Sequence, residues 1–240
     1  MILNKHIRKE IKAHALKLEP EECCGLVVED EHSKTCNVFK CRNSSVNNRK
    51  HFKILPSDYL KASRAGDIKA VYHSHCNDLE NFSEFDKLNS QNHDIEFILY
   101  VIKNDDFLSY FPNCKYNSYV GRELVLGKQD CGSLVRDFYR KEFNIEINDY
   151  ERDETWLENP KDTLDKCYKD EGFEKVKDLR PFDCIFFKMK KLGPSSHVGI
   201  YLGNEMLLHQ TGGVNGYSRI EDYNRWKKFK NYVIRHKGLK

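Results

Sequence analysis

The stretch that most constrains this chain is Asp130-Cys131-Gly132-Ser133-Leu134-Val135-Arg136-Asp137-Phe138-Tyr139. Leu134, Val135 and Phe138 recur at helical spacing, so the segment forms a helix that buries one face. Asp130 stands just before it as an N-cap. The helix therefore opens on Cys131, where the positive end of the macrodipole and unpaired backbone N–H groups favour thiolate over thiol. A thiolate needs an imidazole to hold its proton, and the imidazole needs an orienting group. Downstream, Pro194-Ser195-Ser196 opens a strand from His197 to Gly203, and Met206 to His209 is its hairpin partner after Gly203-Asn204. His197 and His209 on adjacent strands can do both jobs against Cys131.

With 240 residues the chain holds one large domain or two small ones. A hydrophobic share of 39% is enough for packed cores, and a charged share of 32% suits a soluble protein. The net charge of +3, with basic and acidic residues interleaved, gives no case for nucleic acid as a partner. No apolar run approaches the ~20 residues of a membrane span. The first ten residues lack the apolar core of a signal peptide. The expectation is a protein made and kept in a reducing cytoplasm, or one that leaves by a route other than secretion. Nine cysteines, an odd number with no Cys-x-x-Cys pair, argue for free thiols and against a thiolate zinc knot.

In the first half, Leu3, Ile7, Ile11, Ala15 and Leu18 mark an amphipathic helix ending before Pro20. Leu26-Val27-Val28 reads as a buried strand, and Thr35 to Cys41 and His51 to Leu55 as further strands. Ser57 to Ala65 reads as a helix between Pro56 and Gly66. The strand Ile68 to Tyr72 leads into His73-Ser74-His75, followed by Ser83 and Asp86. Histidines two apart at a strand end point to one face. Ser83 caps a helix through Leu88, with Asp86 in its first turn. Two imidazoles and one carboxylate suit a catalytic zinc ion with one position left for water, whose pKa falls to about 7. A nearby carboxylate must take the proton, and Glu22 in Glu21-Glu22-Cys23-Cys24-Gly25 is a candidate. Ile95 to Ile102 and Phe107 to Phe111 read as paired strands across Asn104-Asp105-Asp106. The polar, aperiodic stretch that follows marks the domain boundary.

In the second half, the Cys131 helix runs to about Phe143 and Ile145 to Arg152 is charged and irregular. Trp156 and Leu157 anchor a loop ending at Pro160, and Asp162 to Lys169 reads as a second helix ended by Gly172. Cys184 to Phe187 is a strand. Asp222 to Lys230, carrying Trp226 and Phe229, reads as a core-packing helix, and Tyr232-Val233-Ile234 closes the sheet. Cys167 and Cys184 have no catalytic partners in sequence and read as core or surface thiols.

His-x-His, seven residues, Ser, two residues, Asp, with an upstream Glu-x-Cys-Gly, resembles the JAMM (JAB/MPN-type) metallopeptidase motif over roughly residues 1–112. The resemblance implies His73, His75 and Asp86 as zinc ligands, Glu22 as general base and Ser83 as a stabiliser of the tetrahedral intermediate. Cys76 stands where that family usually has proline. The helix-opening Asp-Cys, the Ser-His-Val-Gly-Ile-Tyr-Leu-Gly strand and Leu-Leu-His twelve residues beyond the first His resemble the NlpC-type, papain-like cysteine peptidases of bacterial cell-wall peptides. This resemblance implies Cys131 as nucleophile, His197 as base, His209 as orienter, Tyr119 near the oxyanion site and the Cys131 N–H in the oxyanion hole. Cys131-Gly132-Ser133 departs from the Cys-Ser-Gly of many members.

The expected fold is α+β in two domains. A JAMM/MPN-like α/β/α domain spans 1–112, a linker 113–118, and a papain-like domain with an antiparallel sheet 119–240. The order of the two halves resembles the tail-assembly proteins of lambda-like tailed phages. That resemblance implies synthesis in the host cytoplasm, phage tail tip proteins and peptidoglycan peptides as partners, and a place in building the tail or in the tail itself. A second reading is an assembly factor that keeps one or both folds without catalysis.

Overall fold

The structure is a computed structural model that describes residues 2–150, 152, 168–189, 194–210 and 216–239. The chain forms two compact units, Met1–Asn117 and Ser118–Lys240. Among the described residues no helix is long and apolar enough to cross a membrane, and the eight cysteines are all free thiols.

In the first unit, α1 (Lys5–Leu18) starts where the Asn4 side chain accepts the Ile7 N–H at 3.0 Å. There follow β1 (Cys24–Glu29), β2 (Cys36–Cys41), α2 (Pro56–Ala65), β3 (Asp67–His75), α3 (Glu84–His93), β4 (Glu96–Val101) and β5 (Asp106–Tyr110). The sheet runs β2-β1-β3-β4-β5, with β3 and β4 parallel across the α3 crossover and the other pairs antiparallel. The pleat sorts side chains by parity. Val27, Ala70, Tyr72, Ile98 and Tyr100 pack with Ile7, Ile11 and Ala15 of α1. Leu26, Val28, Val71, Phe97 and Leu99 pack on the opposite face with Ala62 of α2. Cover on both faces explains why all six β4 residues are buried. The unit is α/β/α, as expected.

Residues 51–55 do not form the expected strand. The Asn43 amide takes their backbone groups instead. Its Nδ2 donates to the His51 carbonyl at 3.0 Å, and its Oδ1 accepts the Lys53 N–H at 3.1 Å. The segment stays an extended loop beside the sheet. Gly25 shows how tightly β1 is held. A Cβ there would lie 2.4 Å from the Phe39 carbonyl oxygen on β2 and 2.5 Å from the Tyr72 ring on β3. Gly25→Ala is expected to lower the stability of the first unit by about 1–3 kcal/mol, as overpacking does. The check is its urea midpoint, with an unchanged midpoint refuting the close approach.

In the second unit, α4 (Cys131–Phe143) is followed by β6 (Phe173–Val176), β7 (Cys184–Phe187), β8 (His197–Gly203), β9 (Met206–Gln210), β10 (Ser218–Asp222) and β11 (Lys230–His236). They form an antiparallel sheet in the order β10-β9-β8-β7-β11-β6. The α4 helix, with Leu134, Phe138 and Tyr139 buried, packs on β8 and β9.

The expected helix over Asp222 to Lys230 is absent. β10 pairs with β9 through Asp222, and two short 3-10 turns follow, Tyr223–Arg225 and Lys227–Phe229. Trp226 and Phe229 still pack on the core. The polar strand Ser218–Asp222 has little strand character of its own and forms because β9 offers it a ladder. The Tyr232 to Ile234 strand does not close the sheet, for β11 lies between β7 and β6. The loop at Trp156 and Leu157, the helix expected from Asp162, and Cys167 lie outside the described residues.

Candidate functional site

Two clusters stand out, one in each unit. In the first, His73 and His75 occupy the last turn of the pleat in β3, and Asp86 is the third residue of α3. One ligand atom from each of the three lies within 4.8 Å of the others, and all three residues are buried. The His73 and His75 Nε2 atoms approach to 3.2 Å. Nε2 of His73 is 3.5 Å and that of His75 3.8 Å from the Asp86 carboxylate. His75 Nδ1 lies 3.0 Å from the Leu79 carbonyl, which can only accept, so the lone pair of His75 sits on Nε2, toward the cluster. Burial, with His73 adding to it, pushes His75 down to about 4, so the ring is neutral and free to ligate. Burial alone would raise the Asp86 carboxyl, but His73 and the Ser83 groups outweigh it and hold it below the usual carboxylate range.

The helix cap builds part of this site. Ser83 is the N-cap of α3, and Asp86 closes a capping box with it. Both the Ser83 hydroxyl (2.6 Å) and its N–H (2.9 Å) donate to Asp86 Oδ2. The hydroxyl expected to face a tetrahedral intermediate is thus committed here to orienting Asp86. Glu22 is buried with Oε1 unpartnered, and burial, then the charge of Asp86, pushes its carboxyl up to about 8. Cys76 does not join the cluster, because its thiol donates to the Glu21 carbonyl at 3.3 Å.

The donor set fits zinc. Two imidazole nitrogens facing each other at 3.2 Å beside a carboxylate, and an orphaned buried carboxylate oxygen on Glu22, are what a tetrahedral cation with one exchangeable position would complete.

In the second unit, Asp130 caps α4 as expected. Its Oδ1 accepts the Ser133 N–H at 2.9 Å and its own N–H donates to Ser133 Oγ at 2.7 Å. Serine at this position completes a capping box, which gives the Cys-Gly-Ser order a structural reason. Cys131 is buried, with its sulfur against the backbone N–H of Val198, the residue after His197. The expectation of a ready thiolate is not met. Burial, with the Asp130 charge adding to it, pushes the Cys131 thiol up to about 11, against the helix N-terminus, the Val198 N–H and Arg152. Burial, with His209 adding to it, pushes His197 down to about 3, so its imidazole is neutral.

His197 Nε2 meets His209 Nδ1 at 2.9 Å, and His209 Nε2 meets Glu221 Oε1 at 2.8 Å. Glu221 also accepts from Trp226 Nε1 at 2.9 Å and from Arg225. The Trp226 indole covers both imidazoles, with ring centroids 5.3 Å from His197 and 4.4 Å from His209.

Tyr119 is not brought to Cys131. Its hydroxyl donates to Glu142 at 3.0 Å, in the last turn of α4 and about 16 Å along the helix axis from Cys131. The Phe138 ring and the Glu142 carboxylate together hold it there.

Two residues escaped the reading of the sequence. Arg152, buried, donates from Nε to Asp130 Oδ2 at 2.7 Å and so braces the cap beneath Cys131. Glu221 ends the histidine chain. Neither has a local signal, since both sit in charged stretches that resemble solvated surface. The nearest thing to one is the equal spacing of twelve residues from His197 to His209 and from His209 to Glu221.

Comparison with known proteins matches residues 116–235 to the NlpC/P60 family and residues 4–111 to prokaryotic homologs of the JAB domain. The chain is similar to "Tail tip assembly protein K" of Escherichia phage N15, 29% identical over 232 residues covering 96% of this chain and 94% of that one. It is also similar to "Tail tip assembly protein K" of Escherichia phage lambda, 27% identical over 186 residues covering 76% of this chain and 89% of that one.

Proposed function

The chain belongs to the NlpC/P60 family over its second half, and from that we infer that Cys131, His197 and His209 form a cysteine endopeptidase that cuts peptidoglycan stem peptides. The similarity to two tail tip assembly proteins supports reading this activity as that of a phage tail tip assembly factor with tail proteins as partners. The bond we assign is γ-D-glutamyl–diaminopimelate. The observation that carries the reading is the buried chain His197–His209–Glu221 running from β8 to β10 behind the helix-opening Cys131.

The thiol proton passes to His197 as sulfur attacks the amide carbon. Nε2 of His197 is engaged by His209, so Nδ1 is the nitrogen left to take it. The carbonyl oxygen gains charge, with the Cys131 N–H at the helix start as one donor to it. His197 returns the proton to the leaving amine, and water then hydrolyses the thioester with His197 again as base.

The first unit we read as a metallopeptidase with His73, His75 and Asp86 as zinc ligands and a phage tail protein as substrate. Zinc bound there supplies Lewis-acid polarisation and a more acidic bound water. Glu22, with its free Oε1, holds the proton, and Ser83 keeps Asp86 oriented.

Purified sacculi incubated with the protein are expected to release muropeptides cut within the stem, read by mass spectrometry. The assembly-only reading makes the opposite statement about the virus. If a Cys131→Ala, His73→Ala double variant supports normal tail assembly and infection, catalysis is not what the chain is kept for.

A further inference from the structure

We propose that Glu221 is a positioning residue that sets which nitrogen of His197 is basic, acting through two successive hydrogen bonds. This rests on the cysteine-peptidase reading. A carboxylate only accepts, so His209 must carry its proton on Nε2, which lies 2.8 Å from Glu221. The neutral ring then has its lone pair on Nδ1. That lone pair faces His197 Nε2 at 2.9 Å, so His197 must carry its proton on Nε2. The remaining nitrogen of His197, Nδ1, is left with the lone pair that the Cys131 thiol needs. Burial would keep Glu221 protonated, but His209, Arg225 and Arg219 hold its carboxyl down to about 2, so it stays an acceptor. Trp226 and Arg225 fix the carboxylate, which leaves His209 no choice of partner.

Glu221→Gln tests this. The amide keeps the shape but offers an N–H, so His209 can turn to the other tautomer and drive His197 to carry its proton on Nδ1. The expected loss in kcat is about a hundredfold, with KM nearly unchanged, by the logic of an orienting carboxylate turned to amide. The decisive readout needs no substrate: nitrogen-15 spectra of histidine-labelled protein. Wild type should show both rings protonated on Nε2, and the variant should show His197 with a population protonated on Nδ1. Wild-type His197 protonated on Nδ1 overturns the proposal, as does a variant with unchanged spectra and full activity. Wild-type spectra as expected in a protein that cuts no stem peptide leave the relay standing and remove the peptidase reading.

An open cavity of about 990 Å³ has Glu22, His75 and Asp86 in its wall. Four of the ten exposed large apolar side chains among the described residues line it: Tyr59, Leu60, Leu79 and Phe85. Phe85 is 65% and Leu60 57% exposed, on helix faces that water would ordinarily keep polar. Its lysines, Lys50 and Lys53, have no carboxylate among the lining residues apart from Glu22 and Asp86 of the cluster. We infer that the occupant is a polypeptide segment with bulky apolar side chains beside the scissile amide and an acidic residue nearby. A peptidoglycan stem, whose apolar side chains are no larger than methyl, would leave those apolar walls uncovered. This deepens the metallopeptidase reading.

The probe is zinc-loaded full-length Glu22→Gln protein with labelled octapeptides read by anisotropy. A peptide with central Leu-Phe and a flanking Asp should bind at least about tenfold tighter than its Ala-Ala counterpart, or than labelled L-Ala–γ-D-Glu–diaminopimelate. A Leu60→Asp, Phe85→Ser variant should lose that preference with its zinc content unchanged. Equal binding of the octapeptides, or tighter binding of the stem, overturns the assignment. Preference in binding without cleavage by the wild type keeps the cavity assignment and removes the metallopeptidase reading.

Discussion

Cys131→Ala is expected to abolish stem-peptide release from sacculi, lowering kcat/KM by about 10⁴-fold or more, as removal of the nucleophile does in acyl-transfer enzymes. The magnitude follows from the site. Without the sulfur no thioester can form, and the His197–His209–Glu221 chain is left with only water to activate. The fold should survive, because the Asp130–Ser133 capping box holds the start of α4 and alanine gives up only the contacts of one sulfur, the Val198 N–H among them. Muropeptide mass spectrometry on matched digests checks it. The same products at the same rate from wild type and variant would end the cysteine-peptidase reading.

The second large effect concerns metal. Wild-type protein is expected to hold about one zinc per chain, and His75→Ala to lower zinc affinity by more than about 10²-fold. Losing a ligand should cost more than the 10–100-fold typical of losing a supporting group around one. Cys76→Ser should leave zinc content unchanged, because that thiol is bonded to the Glu21 carbonyl and stands outside the cluster. Zinc binding should also raise the urea midpoint of the first unit, since a ligand that binds only the folded state stabilises it. Elemental analysis after dialysis settles the stoichiometry. Zinc far below one per chain in wild type, unchanged by His75→Ala, would remove the metallopeptidase reading.

Both clusters combine readable and hidden parts. His73 and His75 were legible because a strand puts alternate residues on one face, and Ser83 and Asp86 because a capping box has a fixed spacing. Cys131 was legible for the same local reason, at the first residue of a helix with one apolar stripe. The state of its thiol was not. Burial against β8 and the nearness of Asp130 outweigh the helix N-terminus, and burial is a property of the packed unit. Tyr119 has the family's spacing, yet Glu142 on α4 and the ring of Phe138 draw its hydroxyl to the other end of the helix.

The misread segments share one cause. Residues 51–55 have strand-like sequence, but the Asn43 side chain takes the backbone groups a ladder would need. Residues 218–222 have little strand-like sequence, but β9 supplies a ladder for them. Periodicity reports what a segment can bury, not which partner reaches its N–H and C=O groups first.

Sequence alone determined the helix caps, the parity of the strands and the residues that local geometry forces together, because these depend on neighbours a few positions away. Tertiary structure alone decided that Glu221 ends the histidine chain and that Arg152 braces the cap beneath Cys131. It also decided that apolar side chains of α2 and α3 line a cavity beside His75. Each of those joins residues from separate elements, and the energy of the contact exists only once the sheet has brought them together.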